Sequence, residues 1–176
     1  GFIALSGTDG LKVGTREPAM GLRGIPETQI ICEDLEVPEE MILIPPEGLQ
    51  RGFAGLMNAY NGQRVGAGTV ALGIAAGAYE LALEYSQQRE QFGRPICEFQ
   101  GLQWMLADMH TQLEAARLLL RKAACSGKKG FPDMLEAAQA KIFASEMAIK
   151  VTNDALQIFG SAGYSRNLPL ERMARD

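Results

Sequence analysis

The spacing of apolar positions changes character once along the chain. Up to residue 44 they come in short runs. Residues 2–6 are mostly apolar, Thr8-Asp9-Gly10 reads as a turn of residues that tolerate positive φ, and residues 11–15 read as a strand returning to pair with them. Thr28–Cys32 is a further β-branched run, and Pro38, Pro45 and Pro46 stop regular structure after it. So few strands do not make an independent sheet. Residues 1–45 therefore read as the end of a β-domain whose beginning is missing, and residues 46–176 as a helical domain.

From about Glu47 the apolar spacing is helical. The first helix is expected over 48–88; its glycines lower its propensity, so packing must hold it. A second, over 98–125, places Leu102, Met105, Leu106, Met109, Leu113, Ala116 and Leu120 on one stripe. Gly127 and Gly130 end it, with Lys128 and Lys129 suiting its negative pole. A third starts at Pro132-Asp133, with proline at or near the first-turn position, and runs to Phe159, where Gly160 fits a C-terminal cap. It is apolar on two faces: Ala138, Ile142, Ser145, Ile149, Leu156 and Phe159 on one, Phe143, Met147, Val151, Ala155 and Ile158 on the other. Such a helix lies centrally in a bundle or at a subunit contact. A fourth begins near Pro169. The fold class is mostly α: an incomplete antiparallel four-helix bundle preceded by a few strands of a truncated β-domain.

Composition narrows this. Hydrophobic residues make up 47% and charged residues 22%, the balance of a folded globular chain. A net charge of −4 offers no basic surface for nucleic acid. Cys32, Cys97 and Cys125 are scattered and odd in number, which suits reduced thiols in the cytosol better than disulfides or a zinc site. Residues 65–83 are long and apolar enough for a membrane span. They are rich in Gly and Ala, poor in Leu, Ile and Phe, and run straight into polar residues. Gly66, Gly73 and Gly77 therefore read as places where helices approach closely, not as part of a span.

Three stretches carry candidate chemistry. In residues 85–109 a Gly-Arg-Pro turn gathers Arg89, Gln91, Phe92 and Gln100 at the start of a new helix. A cation, a ring and free helix-start N–H groups suit a flat, charged ligand; a solvated connector satisfies the same turn. Residues 157–164 read as a glycine-rich helix end where backbone nears a ligand and the Gln157 amide reaches a base edge, or simply as a helix end. In Asn61-Gly62-Gln63-Arg64 the arginine is either paired structurally or faces an anionic or acyl ligand. His110 lacks the second ligand set that a bundle metal site needs, so no metal is expected.

Taken together, MGLRG at 20–24, EDLEVP at 33–38, REQFG at 89–93, EFQ at 98–100, LADM at 106–109, AK at 140–141, QIFGSAGY at 157–164 and ERMARD at 171–176 resemble the acyl-CoA dehydrogenases in order and spacing. The resemblance implies FAD held between subunits of a homodimer or homotetramer. It places Arg89, Gln91, Phe92, Phe99 and Gln100 on one FAD, and Gln157, Ile158, Phe159, Gly160 and Ser161 on the neighbouring subunit's FAD. Asn61 and Arg64 fall along the acyl-CoA path. The implied reaction is α,β-desaturation of an acyl-CoA with hydride passing to flavin N5. The implied electron acceptor is an electron-transfer flavoprotein or similar, in the cytoplasm or a mitochondrial matrix.

The family base is a Glu at one of two places. One matches Gln63, whose amide cannot take a proton; the other lies past Asp176. No catalytic residue is therefore expected in this chain, and the chain alone is expected to be inactive. An acyl-CoA oxidase, a lyase-type relative or a non-catalytic assembly module are the alternatives. The departures from the family pattern are Gly160-Ser161 in place of a double glycine, Ala19 in place of a lysine, and the glycine-poor 45–48 entry to the first helix.

Overall fold

The computed structural model describes residues 1–45, 48–127 and 130–176. The expectations that fall on Pro46, Glu47, Lys128 and Lys129 lie outside the described residues. The chain divides into two units, Gly1–Met57 and Asn58–Asp176.

In the first unit, β1 (Leu11–Arg16) pairs antiparallel with β2 (Thr28–Cys32), with Leu11 opposite Cys32 and Arg16 opposite Thr28. The expected pairing of 11–15 with 2–6 does not form. Gly10 has φ +83, and a Cβ there would sit 2.4 Å from the Glu33 carbonyl oxygen. The glycine thus lets the segment after β2 close against the start of β1, and the Glu33 N–H donates to the Gly10 carbonyl. Residues 2–6 contribute only the isolated bridge from Phe2 to Ile42. Val13 and Ile30 stay exposed on this two-stranded ribbon.

The second unit is helical. A 3-10 turn, Leu49–Arg51, leads into α1 (Gly52–Gln88), whose later part enters this unit. It is followed by α2 (Gln100–Cys125), α3 (Met134–Phe159) and the short α4 (Leu170–Met173). The α2 stripe is buried as expected, from Leu106 through Met109, Leu113, Ala116 and Leu120 to Ala123. It meets Ala75, Ala78 and Ala82 of α1, Ala140, Ala144, Met147, Val151 and Ala155 of α3, and Leu170. Alanines at the contact let backbones approach, while the larger side chains each contribute about 1.5–3 kcal/mol by leaving water. Helix directions follow from two contacts. Midway along α1, Gly68 lies against Leu120 late in α2 and Ala144 in the first half of α3. At the end of α1, Tyr85 stacks on Phe159 at the end of α3. So α1 and α3 run together and α2 runs against both.

A further expectation is corrected. The close approach on α1 is at Gly68, where a Cβ would lie 2.8 Å from Leu120 Cδ2; Gly66 and Gly73 have nothing within 4 Å, and Gly77 makes an ordinary contact with Met173. Pro132 stands directly before the N-cap of α3, near its first turn as expected. Asp133 is the N-cap, and its carboxylate accepts from the N–H groups of Leu135 and Glu136 at 2.9 and 3.2 Å. Of the two apolar faces of α3, that carrying Met147, Val151, Ala155 and Ile158 is buried. The other leaves Ile142 and Ile149 at 56% and 64% exposed. Leu49–Gln88 is long and apolar enough to cross a bilayer by length and composition, yet Gly68, Ala75, Ala78 and Ala82 within it are buried in the protein.

Candidate functional site

At the end of α1 the Arg89 N–H still donates to the Tyr85 carbonyl, while the Arg89 carbonyl accepts from Ile96 N–H, both at 2.8 Å. Between them β3 (Glu90–Gln91) and β4 (Arg94–Pro95) form a minimal hairpin. Its tip is Phe92-Gly93, not the Gly-Arg-Pro expected. Both tip residues have positive φ, +55 and +78, the pattern of a two-residue hairpin turn with matching twist. For phenylalanine this backbone is strained by about 1–2 kcal/mol. The strain holds a ring in the open: Phe92 is 93% exposed.

The hairpin leans on the start of α2. Phe92 meets the Phe99 ring edge-on at 6.1 Å, and the Arg94 guanidinium carbon lies 4.4 Å from the Phe99 ring centroid. Arg94 is a second cation here that sequence reasoning missed; the signal was its place opposite Gln91 once the tip is set at Phe92-Gly93. The Phe99 carbonyl accepts from Leu102 and Gln103 N–H, so Gln100 and Gly101 N–H, at the helix start, have no acceptor within the helix. No atom lies within 4 Å of a Cβ built on Gly101. Arg89, Gln91 and Gln100 are exposed, and Arg89 forms no ion pair among the described residues.

The second group ends α3. Gln157 and Ser161 are exposed, while Ile158 and Phe159 are buried, which leaves only their backbone to face a ligand. Gly160 has φ +58 and donates its N–H to the Gln157 carbonyl. A Cβ on Gly163 would sit 2.7 Å from the Leu156 carbonyl oxygen, so glycine is required for the chain to fold back on its own helix. Tyr85, one turn before Arg89, stacks on Phe159 and sets this corner at the hairpin end of the bundle.

The third group lies on α1. Arg64 Nη1 donates to Asn61 Oδ1 at 2.7 Å. Asn61 is only 2% exposed, so it supports Arg64 from within and does not line a surface. Arg64 is half-buried and Gln63 exposed. His110 is exposed beside Tyr79, ring centroids 5.6 Å apart.

The hairpin and α2 start thus offer guanidinium groups, an amide and helix-start N–H groups beside an open aromatic edge, with no metal-ligating cluster among the described residues. That set binds anionic oxygens next to a flat ring. A family model for the acyl-CoA dehydrogenase C-terminal domain matches residues 50–176. The chain belongs to the acyl-CoA dehydrogenase family.

Among its relatives, the 3-sulfinopropanoyl-CoA desulfinase of Cupriavidus necator is 66% identical over 96% of this chain and 42% of its own length. The butyryl-CoA dehydrogenase structure from Megasphaera elsdenii superposes with a TM-score of 0.93 at 44% identity, covering 99% of this chain and 45% of that one. A chain solved in work on the electron transferring flavoprotein of Acidaminococcus fermentans gives 0.92 at 46% identity, with 99% and 45% covered. The chain therefore spans less than half the length of the relatives it matches. Acyl-CoA dehydrogenases are FAD-dependent flavoproteins. The donor set above fits that cofactor, with cations and helix-start amides for a diphosphate and the exposed Phe92 ring for a flat ring system.

Proposed function

We propose that the whole protein is an FAD-dependent enzyme that acts at the Cα–Cβ bond of an acyl-CoA thioester, with α,β-desaturation as its reaction. The observation that carries this is the match over 50–176 joined to the cation-rich hairpin and open α2 start. Arg89, Gln91, Phe92, Phe99 and Gln100 hold one FAD. Gln157 and Ser161, with the backbone of Ile158, Phe159 and Gly160, approach the FAD of a neighbouring copy in a dimer or tetramer. Bound FAD supplies a hydride acceptor. Arg64, steadied by Asn61, lies along the acyl-CoA path. Gln63 moves no proton, so the base comes from another part of the protein. The enzyme works in the cytoplasm, or in a mitochondrial matrix, and passes electrons to an electron-transfer flavoprotein or a similar acceptor.

One observation favours a second reading: the relative at 66% identity is named a desulfinase, against 44% for the butyryl-CoA dehydrogenase. Loss of a sulfino group breaks the C–S bond at C3: sulfur dioxide leaves and is hydrated to sulfite, and C3 takes up a proton in its place. C3 is also the carbon from which desaturation removes hydride, so the same placement of thioester and flavin serves both. The test supplies the FAD-loaded full-length protein with butanoyl-CoA plus an artificial electron acceptor, and separately with 3-sulfinopropanoyl-CoA. Reduction of the acceptor supports desaturation. Sulfite release without an acceptor supports the second reading. Neither activity in a fully loaded, folded protein refutes both and leaves a non-catalytic assembly module.

A further inference from the structure

Every residue from Arg89 to Arg94 is exposed, and the hairpin they form with Pro95 has two-residue strands. Pro95, opposite Glu90, has no N–H to give to the ladder. A ribbon this small is marginal by itself. Few buried contacts and exposed backbone bonds put such a segment at the low-stability end of a fold. Its base is tied down on both sides. The buried Ile96 donates its N–H to the Arg89 carbonyl, and the Arg89 N–H donates to the Tyr85 carbonyl. The Tyr85 ring in turn lies on Phe159, the residue before Gly160. The hairpin is thus the element that can order or fray, and the Tyr85–Phe159 stack joins its base to the end of α3.

We propose that FAD binding at one site of the assembled protein strengthens FAD binding at the next, with the hairpin as the two-state element and the Tyr85–Phe159 stack as the link. The inference rests on the reading above, in which Arg89, Gln91 and Phe92 hold one FAD while Gln157 to Ser161 approach that of a neighbouring copy. Each chain's stack then joins a segment on one cofactor to a segment on the other. A flavin bound by one copy orders that copy's hairpin and, across the contact, the end of the neighbour's α3. That end carries Phe159, whose ring holds Tyr85 and so the base of the neighbour's own empty hairpin. The second hairpin is already ordered when its flavin arrives, which is positive coupling without any new contact. Linkage makes the effect reciprocal between the two sites.

The test is titration of the full-length apoprotein with FAD, followed by flavin fluorescence, together with amide hydrogen exchange of residues 89–95 along the titration. Coupling is expected to make the second FAD bind about fivefold tighter or more, a Hill coefficient of about 1.4 or more for a pair of sites. Protection of the hairpin amides should run ahead of flavin occupancy. Tyr85→Leu removes the stack and should bring the Hill coefficient to about 1, with the first FAD bound within about threefold of the wild type and protection tracking occupancy. Tyr85→Phe keeps the ring and should behave as the wild type. Independent binding with protection that tracks occupancy in the wild type would overturn the proposal, and this measurement decides alone if Tyr85→Leu does not fold. Coupling that survives in folded Tyr85→Leu would overturn the role of the stack. An apoprotein that takes up no FAD, or that stays monomeric when loaded, would overturn the cofactor reading itself.

Discussion

The Tyr85 ring lies face to face with Phe159, centroids 4.1 Å apart and planes 15° from parallel. One ring ends the helix that leads into the Arg89 hairpin; the other ends the helix that leads into Gly160. The stack fastens the two candidate cofactor segments to one end of the bundle. Tyr85→Ala should therefore destabilise the fold by about 2–4 kcal/mol. Tyr85→Phe should stay within about 1 kcal/mol, because the ring is kept. Urea unfolding of the two variants measures the difference.

Two glycines one half-turn apart on α1 should respond in opposite directions. Gly68→Val forces atoms into Leu120 and Ala144 and should cost about 1–3 kcal/mol. Gly66→Ala meets open space in the chain and should gain up to about 1 kcal/mol through helix propensity. Destabilisation by both in urea unfolding of this chain would contradict the packing described for Gly68.

Asp133 caps α3 through two backbone N–H groups. Asp133→Ala should cost about 1 kcal/mol, and Asp133→Asn much less, since asparagine caps comparably. Thermal unfolding midpoints of the pair check this.

In the full-length protein, Arg89→Ala should weaken FAD retention about tenfold or more by removing a charged donor from the diphosphate. Flavin absorbance of the purified variant and its FAD affinity report the effect. Unchanged occupancy removes Arg89 from the site.

The isolated 176-residue chain should show no acyl-CoA-dependent reduction of an acceptor even with added FAD. In the full-length protein Gln63→Ala should retain substantial turnover, because an amide is no base. Abolished turnover in a folded, flavin-loaded variant would place Gln63 in the chemistry.

The helices were legible because their core is built from period-3.6 stripes, and the α2 stripe from Leu106 to Leu120 is buried as its spacing dictates. Motif order carried the family. Local detail was not legible where a choice depends on partners distant in sequence. Residues 11–15 carry the same strand pattern whichever neighbour they pair with; the close passage of Glu33 over Gly10 decides it. Gly66, Gly68 and Gly73 look alike in sequence, and only the place of Leu120 separates them. Phe92 at a positive φ breaks the expectation that glycine or asparagine occupies a hairpin tip, so the turn was placed one residue too late. The stretch Asn61-Gly62-Gln63-Arg64 left the partner of Arg64 open, and the structure supplies Asn61 through a hydrogen bond.

The strained tip has a consequence for engineering. A redesign that optimises this chain for folding alone would exchange Phe92 for glycine or asparagine, since either relaxes a left-handed backbone by about 1 kcal/mol or more and no core contact is lost. A thermostability selection carried out without flavin would thus erode the aromatic edge of the candidate site while reporting improvement. Selection under flavin retention instead of heat is the condition that keeps the ring.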